Sequence, residues 1–316
     1  IGGIHATIMF RQLLKKFPDL EKIIPYNSDN RRNIGYLIAA ERGAEVIIAV
    51  DDDNYVDVLR DYIKDHNIVG KTMEFEAVSD KSGWFNICSM IRFFPDRKVY
   101  PRGYPYYKRF KDGDISTKKV NGRIVINEGL WLEDPDIDSM TRLTEDVKGK
   151  EILRERVFLD KGTNSPINTQ NTAYHVDILP CLYFVLMGAN LKGLVIERYG
   201  DIWFGLFAKK IIDHMGDYIT FGSPIAIHRR NRHSLLKDLN WEFWSIMYTE
   251  MLAEFLDGIS LSSTSYSECY LELSDKLEKF IQLNEKIDGE AKKYFIDVIF
   301  AMRTWVKVCS KVLEKK

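Results

Sequence analysis

Apolar residues recur along the chain with two different spacings. Over residues 31–42, Ile34, Leu37, Ile38 and Ala40 fall on one helical face and Gly43 supplies a stop. Residues 46–50, VIIAV, form a short unbroken apolar run of strand length. Val56, Val58, Leu59, Tyr62 and Ile63 return to helical spacing, which predicts a helix over 55–65 and an αβα passage of a parallel-type sheet. From 71 to 133 the pattern turns irregular, rich in aromatics, Gly and Pro, and predicts short strands with long loops. Segments 178–186, 202–215 and 218–227 restore an alternation of helix-like and strand-like stretches. Beyond His233 only helical periodicity remains, over 235–256, 267–283 and 289–313. These periods predict an α/β body over 1–233 and an all-helical C-terminal part over 234–316.

Composition narrows the partners. A chain of 316 residues, 45% of them hydrophobic, can bury one large core. Lys and Arg total 45 against 46 Asp and Glu, a formal net charge of −1 that gives no electrostatic reason to expect nucleic acid. Cys88, Cys181, Cys269 and Cys309 are scattered without a CxxC pair, so they read as reduced thiols in a cytoplasmic setting. The apolar run at 178–187 is broken by Pro180 and is shorter than the ~20 residues of a membrane helix, so no membrane span is expected. Residues 1–10 lack the charged start of a signal peptide.

Four constellations carry candidate chemistry. Asp51, Asp52 and Asp53 follow the 46–50 strand, at the carboxyl end where open α/β sheets bind ligands. In an extended segment Asp51 and Asp53 point the same way and offer hard oxygen donors suited to Mn or Mg bridging to phosphate; a solvated acidic turn is the alternative. His228 ends a strand-like run and is followed by Arg229, Arg230 and Arg232. It suits a further metal ligand, with the arginines toward a diphosphate, or else a solvated loop. In YPRGYPYYKR, residues 100–109, two prolines stiffen a loop that presents Arg102, Tyr104 and Arg109, fit for a sugar phosphate or for a rigid turn. In ERYGDIWFG, residues 197–205, Asp201 opens a helix, where it serves as a favourable first-turn acid or as a group that orients a sugar hydroxyl.

Taken in order, AVDDDNY, RGYP with a second arginine seven residues on, GLWLEDPDID, PINTQNTAYH, ERYGDIWFG, DHMG, GSPIAIH and AMRTWVK resemble the reversibly glycosylated polypeptides, also called UDP-arabinopyranose mutases. The resemblance runs from about residue 30 to the last helix. It implies a GT-A-like nucleotide-sugar fold, a mixed sheet flanked by helices, although the first strand of such a domain finds no counterpart in IGGIHATIMFRQLLKKF. It implies Mn or Mg on Asp51, Asp53 and His228, and a UDP-sugar held by Arg32, Asp52, Tyr104, Trp131, Asn171, Trp203 and Arg230. It further implies catalytic roles for Arg102, Arg109 and Asp201, with Arg102 matching the arginine that the plant members reversibly glycosylate. The family's acidic pair before Trp stands here as Gly200 and Asp201, so only Asp201 carries over.

The expected activity is therefore a metal-dependent pyranose/furanose mutase acting on a UDP-sugar. The alternative is a glycosyltransferase passing the sugar to a polysaccharide, lipid or protein acceptor. A third reading is a non-catalytic scaffold that associates with related chains as a homo- or hetero-oligomer. There Trp241, Trp244 and Trp305 form either core or interface, and core is the expected state for aromatics on a helix.

Overall fold

The computed structural model describes residues 11–26, 28–56, 61–232 and 234–314. The opening residues 1–10, on which the signal-peptide and first-strand expectations partly rest, lie outside them. A short helix α1 (Leu20–Ile23) precedes α2 (Arg32–Glu41), which buries Ile34, Leu37 and Ala40 as its spacing requires. Strands β1 (Val46–Val50) and β2 (Asn54–Val56) follow, then α3 (Tyr62–His66), β3 (Thr72–Asp80), β4 (Ile91–Phe94) and β5 (Ile115–Glu133). Next come α4 (Ser139–Thr144), β6 (Lys148–Ile152), β7 (Arg156–Leu159), β8 (Asn171–His175) and the small hairpin β9 (Asn190–Leu191) and β10 (Leu194–Val195). The chain closes with α5 (Gly200–Met215), β11 (Tyr218–His228), α6 (Leu235–Gly258), α7 (Tyr266–Leu283) and α8 (Gly289–Leu313).

The large sheet is mixed, with hydrogen-bonded neighbours β1, β8, β5, β3, β7, β11 and β2 in turn, and with β6 and β4 attached beside β5. Helices flank it, in keeping with a GT-A-like α/β arrangement that carries C-terminal helices. Three expectations are corrected. First, the sheet is not parallel around β1: β1 pairs antiparallel with β8, and β8 antiparallel with β5. Parallel pairing joins β5 to β11, six strands on in sequence, and β3 to β7. Second, residues 55–65 do not form one helix. Asn54, Tyr55 and Val56 pair with the end of β11 instead, residues 57–60 lie outside the described ones, and the helix begins at Tyr62 behind an Asp61 cap. Ladder bonding to a strand edge outweighs a weak helical period. Third, the irregular stretch 71–133 contains the longest strand of the protein. The polar half of β5, from Ile115 to Arg123, is a largely exposed ladder against β3, while its second half is buried against β8 and β11. Exposure on the first half removes the alternation by which a strand is recognised.

The C-terminal helices start at side-chain caps: Ser234 accepts from Lys237 N–H, Ser265 from Glu268 N–H and Asp288 from Ala291 N–H. They share one apolar core with the sheet, running from Leu13 to Val312. Trp305 is fully buried, and its indole N–H donates to Leu179 O at 3.0 Å, tying α8 to the short 3-10 helix Val176–Cys181. Trp241 and Trp244 are half-buried. All four cysteines are buried and free. Among the described residues no helix is long and apolar enough to cross a membrane.

Candidate active site

The aspartate run is a turn. Asp51 N–H donates to Gln170 O at 3.0 Å, and Asn54 N–H returns to Asp51 O at 3.2 Å, so the chain reverses directly from β1 into β2. Asp and Asn favour such reversals, and β2 must begin at Asn54 to sit opposite His228. The expected alternation of Asp51 and Asp53 along an extended segment is thereby lost. Asp51 takes a hydrogen bond and ion pair from Arg32, whereas Asp53 Oδ2 lies 3.4 Å from His228 Nε2. Asp52 is exposed at the lip. Burial disfavours the Arg32 cation, yet Asp51 outweighs it and raises Arg32 above its ordinary value, so this arginine stays charged.

His228 is oriented by its other nitrogen. Nδ1 stands 2.7 Å from Asp134 O, and a carbonyl only accepts, so in the neutral ring Nδ1 carries the proton. The Nε2 lone pair then faces Asp53 and the cleft. Asp53 and His228 form an open two-donor edge, and among the described residues no three His, Cys, Asp or Glu are gathered to hold a metal. That donor set fits a Mg or Mn ion taking most of its ligands from phosphates and water, and does not fit an all-protein cage.

Arg102 sits at the centre of the site, 6% exposed. Its Nε and one Nη reach Asp136 at 2.9 and 3.1 Å, and both Nη atoms reach Asp201 at 3.2 and 3.0 Å. The remaining N–H donates to Arg198 O. The five donors of the guanidinium thus all have acceptors. Burial would raise the Asp136 carboxyl, but Arg102 outweighs burial and holds it below the usual carboxylate range. Gly103 permits this placement, since its φ of +86° is in the left-handed region and a Cβ there would collide with Ile202 of α5. The loop can therefore press directly onto the helix that carries Asp201.

These elements enclose a cleft of about 290 Å³. Of the expected site residues, Arg32, Asp51, Asp52, Asp53, Arg102, Asp201, His228 and Arg230 line it. The others do not. Arg109 lies one layer behind, paired with Asp138 and 3.7 Å from the Tyr106 ring centroid. Tyr104 is buried with its hydroxyl on Trp84 O, and Trp203 donates to Thr249 and stacks on Phe295 in the core. Trp131 is fully buried. Asn171 is a bracket, taking a bond from Tyr62 and donating to Pro224 O and Leu130 O.

Asp136, Arg142 and Arg198 also line the cleft and were not singled out from the sequence. Asp136 stands within the quoted GLWLEDPDID, but nothing in a run of acids tells which one meets a distant arginine. Arg198 adjoins Asp201 in ERYGD, and its left-handed φ of 68°, unusual for a non-glycine residue, is invisible in sequence. It is held by Glu242 of α6 at 2.8 Å, and Arg230 by Asp238 of α6 at 2.7 Å.

The family model described as "Reversibly glycosylated polypeptide" matches residues 3–314. Among curated proteins, "UDP-arabinopyranose mutase 3" of Arabidopsis thaliana is 29% identical over 289 residues, covering 90% of this chain and 72% of its own. "Probable UDP-arabinopyranose mutase 1" of Pisum sativum is 28% identical over 300 residues, covering 93% and 74%. With the family model spanning nearly its whole length, the chain belongs to the reversibly glycosylated polypeptide family.

Proposed function

We propose that the protein is a metal-dependent mutase that interconverts the pyranose and furanose forms of a UDP-sugar, UDP-arabinose being the first candidate. The observation that carries this reading is the convergence, in one cleft, of the Asp53–His228 edge, the Arg102–Asp201 centre and further arginines. The names of the relatives support the substrate class.

In this reading Asp53 and His228 hold Mn or Mg, which when bound neutralises charge on the diphosphate of the substrate. The arginines of the cleft hold the same diphosphate as negative charge grows on it during cleavage of the bond to the anomeric carbon. Ring exchange requires one hydroxyl to lose a proton and the former ring oxygen to gain one. Asp201 suits that transfer. Its Oδ1 already accepts from Arg102 and Ile202 N–H and its Oδ2 from Arg102, which leaves about one of its four lone-pair sites for a sugar hydroxyl. Arg102 keeps Asp201 aimed through its two hydrogen bonds. Transfer of the sugar onto Arg102 itself belongs to the finer form of this proposal and requires an Nη to give up a hydrogen bond and a proton first. Intact mass of the protein after incubation with a UDP-sugar reads that step.

The test of the activity is chromatography of UDP-arabinopyranose incubated with the purified protein and Mn, with a chelator control. A chelator-sensitive UDP-arabinofuranose peak is the expected result. An unchanged or hydrolysed nucleotide sugar refutes the mutase reading for this substrate and directs attention to a sugar acceptor.

A further inference from the structure

Each of four arginines lining the cleft has a carboxylate counterpart: Arg32 has Asp51, Arg102 has Asp136 and Asp201, Arg198 has Glu242, and Arg230 has Asp238. Arg142 does not. Among the described residues it forms no ion pair; one Nη donates to Pro135 O, and its Nε is buried without a partner. A buried cationic donor left unmatched is costly, and the cost is compounded by a second cation, Arg230, acting on the same guanidinium. Burial first and Arg230 second push Arg142 down to about 10, a direction opposite to that of the paired Arg32 and Arg102. Asp136, Asp134 and Glu242 attract it from a distance, but Asp136 is bonded to Arg102, Asp134 to Lys148 and Arg230 N–H, and Glu242 to Arg198 and Ser139 N–H.

An unneutralised arginine beside another arginine, both facing a cleft, is what an anion site looks like before its anion arrives. We propose that Arg142, together with Arg230, is the seat of the diphosphate of the bound nucleotide sugar. This assignment rests on the nucleotide-sugar reading for the identity of the anion, though not for its charge. Arg142 is positioned for it from α4, whose cap Asp138 also holds Arg109, so Asp138 ties the loop bearing Arg102 and Arg109 to the helix that carries the seat.

The experiment is calorimetric titration of the full chain with inorganic diphosphate and with UDP, each with and without Mn, for the wild type, Arg142→Gln and Arg142→Lys, alongside thermal melts without ligand. Arg142→Gln is expected to weaken both ligands by at least about tenfold while leaving the ligand-free melting temperature unchanged or higher, because an unmatched buried charge has been removed. Arg142→Lys keeps a point charge but not the fork and is expected to fall between. Equal affinity for diphosphate in the wild type and in either variant overturns the proposal. So does a lowered melting temperature with unchanged affinity, the mark of a structural arginine. Should the wild type bind inorganic diphosphate and not UDP, the nucleotide reading falls while the seat stands; should it bind neither, both fall.

Discussion

Replacing Arg102 by Ala leaves two carboxylates, Asp136 and Asp201, facing each other with side chains only 9% and 7% exposed. Breaking a buried ion pair by removing one partner costs roughly 3–5 kcal/mol, a large share of the 5–15 kcal/mol that holds a typical domain together. For a chain of this length the melting temperature should fall by about 5–8 °C. The pH dependence gives the sharper signature. In the wild type Asp136 titrates below its ordinary value, so its contribution is present above the unfolded value of about 3.9 and is lost only as pH falls through the lower folded value. In the variant, burial is no longer outweighed, and the folded value of Asp136 rises above the unfolded one. Proton uptake then favours the folded variant, and its deficit should narrow as pH is lowered from 7 to 5. Urea unfolding of both proteins at the two pH values measures this. A deficit below about 1 kcal/mol, or one equal at both pH values, would refute the picture of Arg102 as the counter-charge of two buried acids.

Gly103→Ala should displace Ile202 and with it Asp201, lowering kcat more than it raises KM; unchanged kcat would show that the loop is not what places α5. His66 is buried between Asn127 and Asn171, and burial pushes it down to about 4 from 6.5. Its folded form is thus neutral where the unfolded form is charged, and between pH 6.5 and 4 the wild type should lose up to about 3 kcal/mol of stability that His66→Phe no longer loses in a pH-dependent way; parallel pH profiles in urea unfolding would contradict this. Asp53→Asn and His228→Ala should each abolish binding of Mn in the presence of UDP by calorimetry, whereas Asp51→Asn should chiefly release Arg32; equal loss in all three would place Asp51 among the ligands.

Much of this was legible in sequence wherever one periodicity acted alone. The helices after residue 234 appear within a few residues of their expected bounds, because apolar spacing and Ser or Asp caps act together there. The expected site residues that line the cleft stand at the start of α2, at and just beyond the ends of β1 and β11, at the start of α5, and in the Arg102 loop that packs on it. Pairing was not legible. Which strand lies beside β1, and that Asn54 continues a sheet rather than opening a helix, depend on ladders formed with segments more than a hundred residues away. The same holds for Asp136 and Arg142, whose roles come from the charges that surround them. Trp131 and Trp203 read as candidate substrate-binding residues, but aromatic size alone draws them equally well into the core.

Arg198 and Arg230 bear on how the protein can be divided. Both face the cleft from the α/β body, yet the acids that fix them, Glu242 and Asp238, belong to α6. The helical part therefore helps to build the wall of the cleft rather than being a passenger. A fragment ending near residue 233 would retain every strand of the sheet and still have two arginines without anchors. The helices could be exchanged between relatives only if a carboxylate reappeared at both positions, so the two halves of the chain are expected to vary in concert.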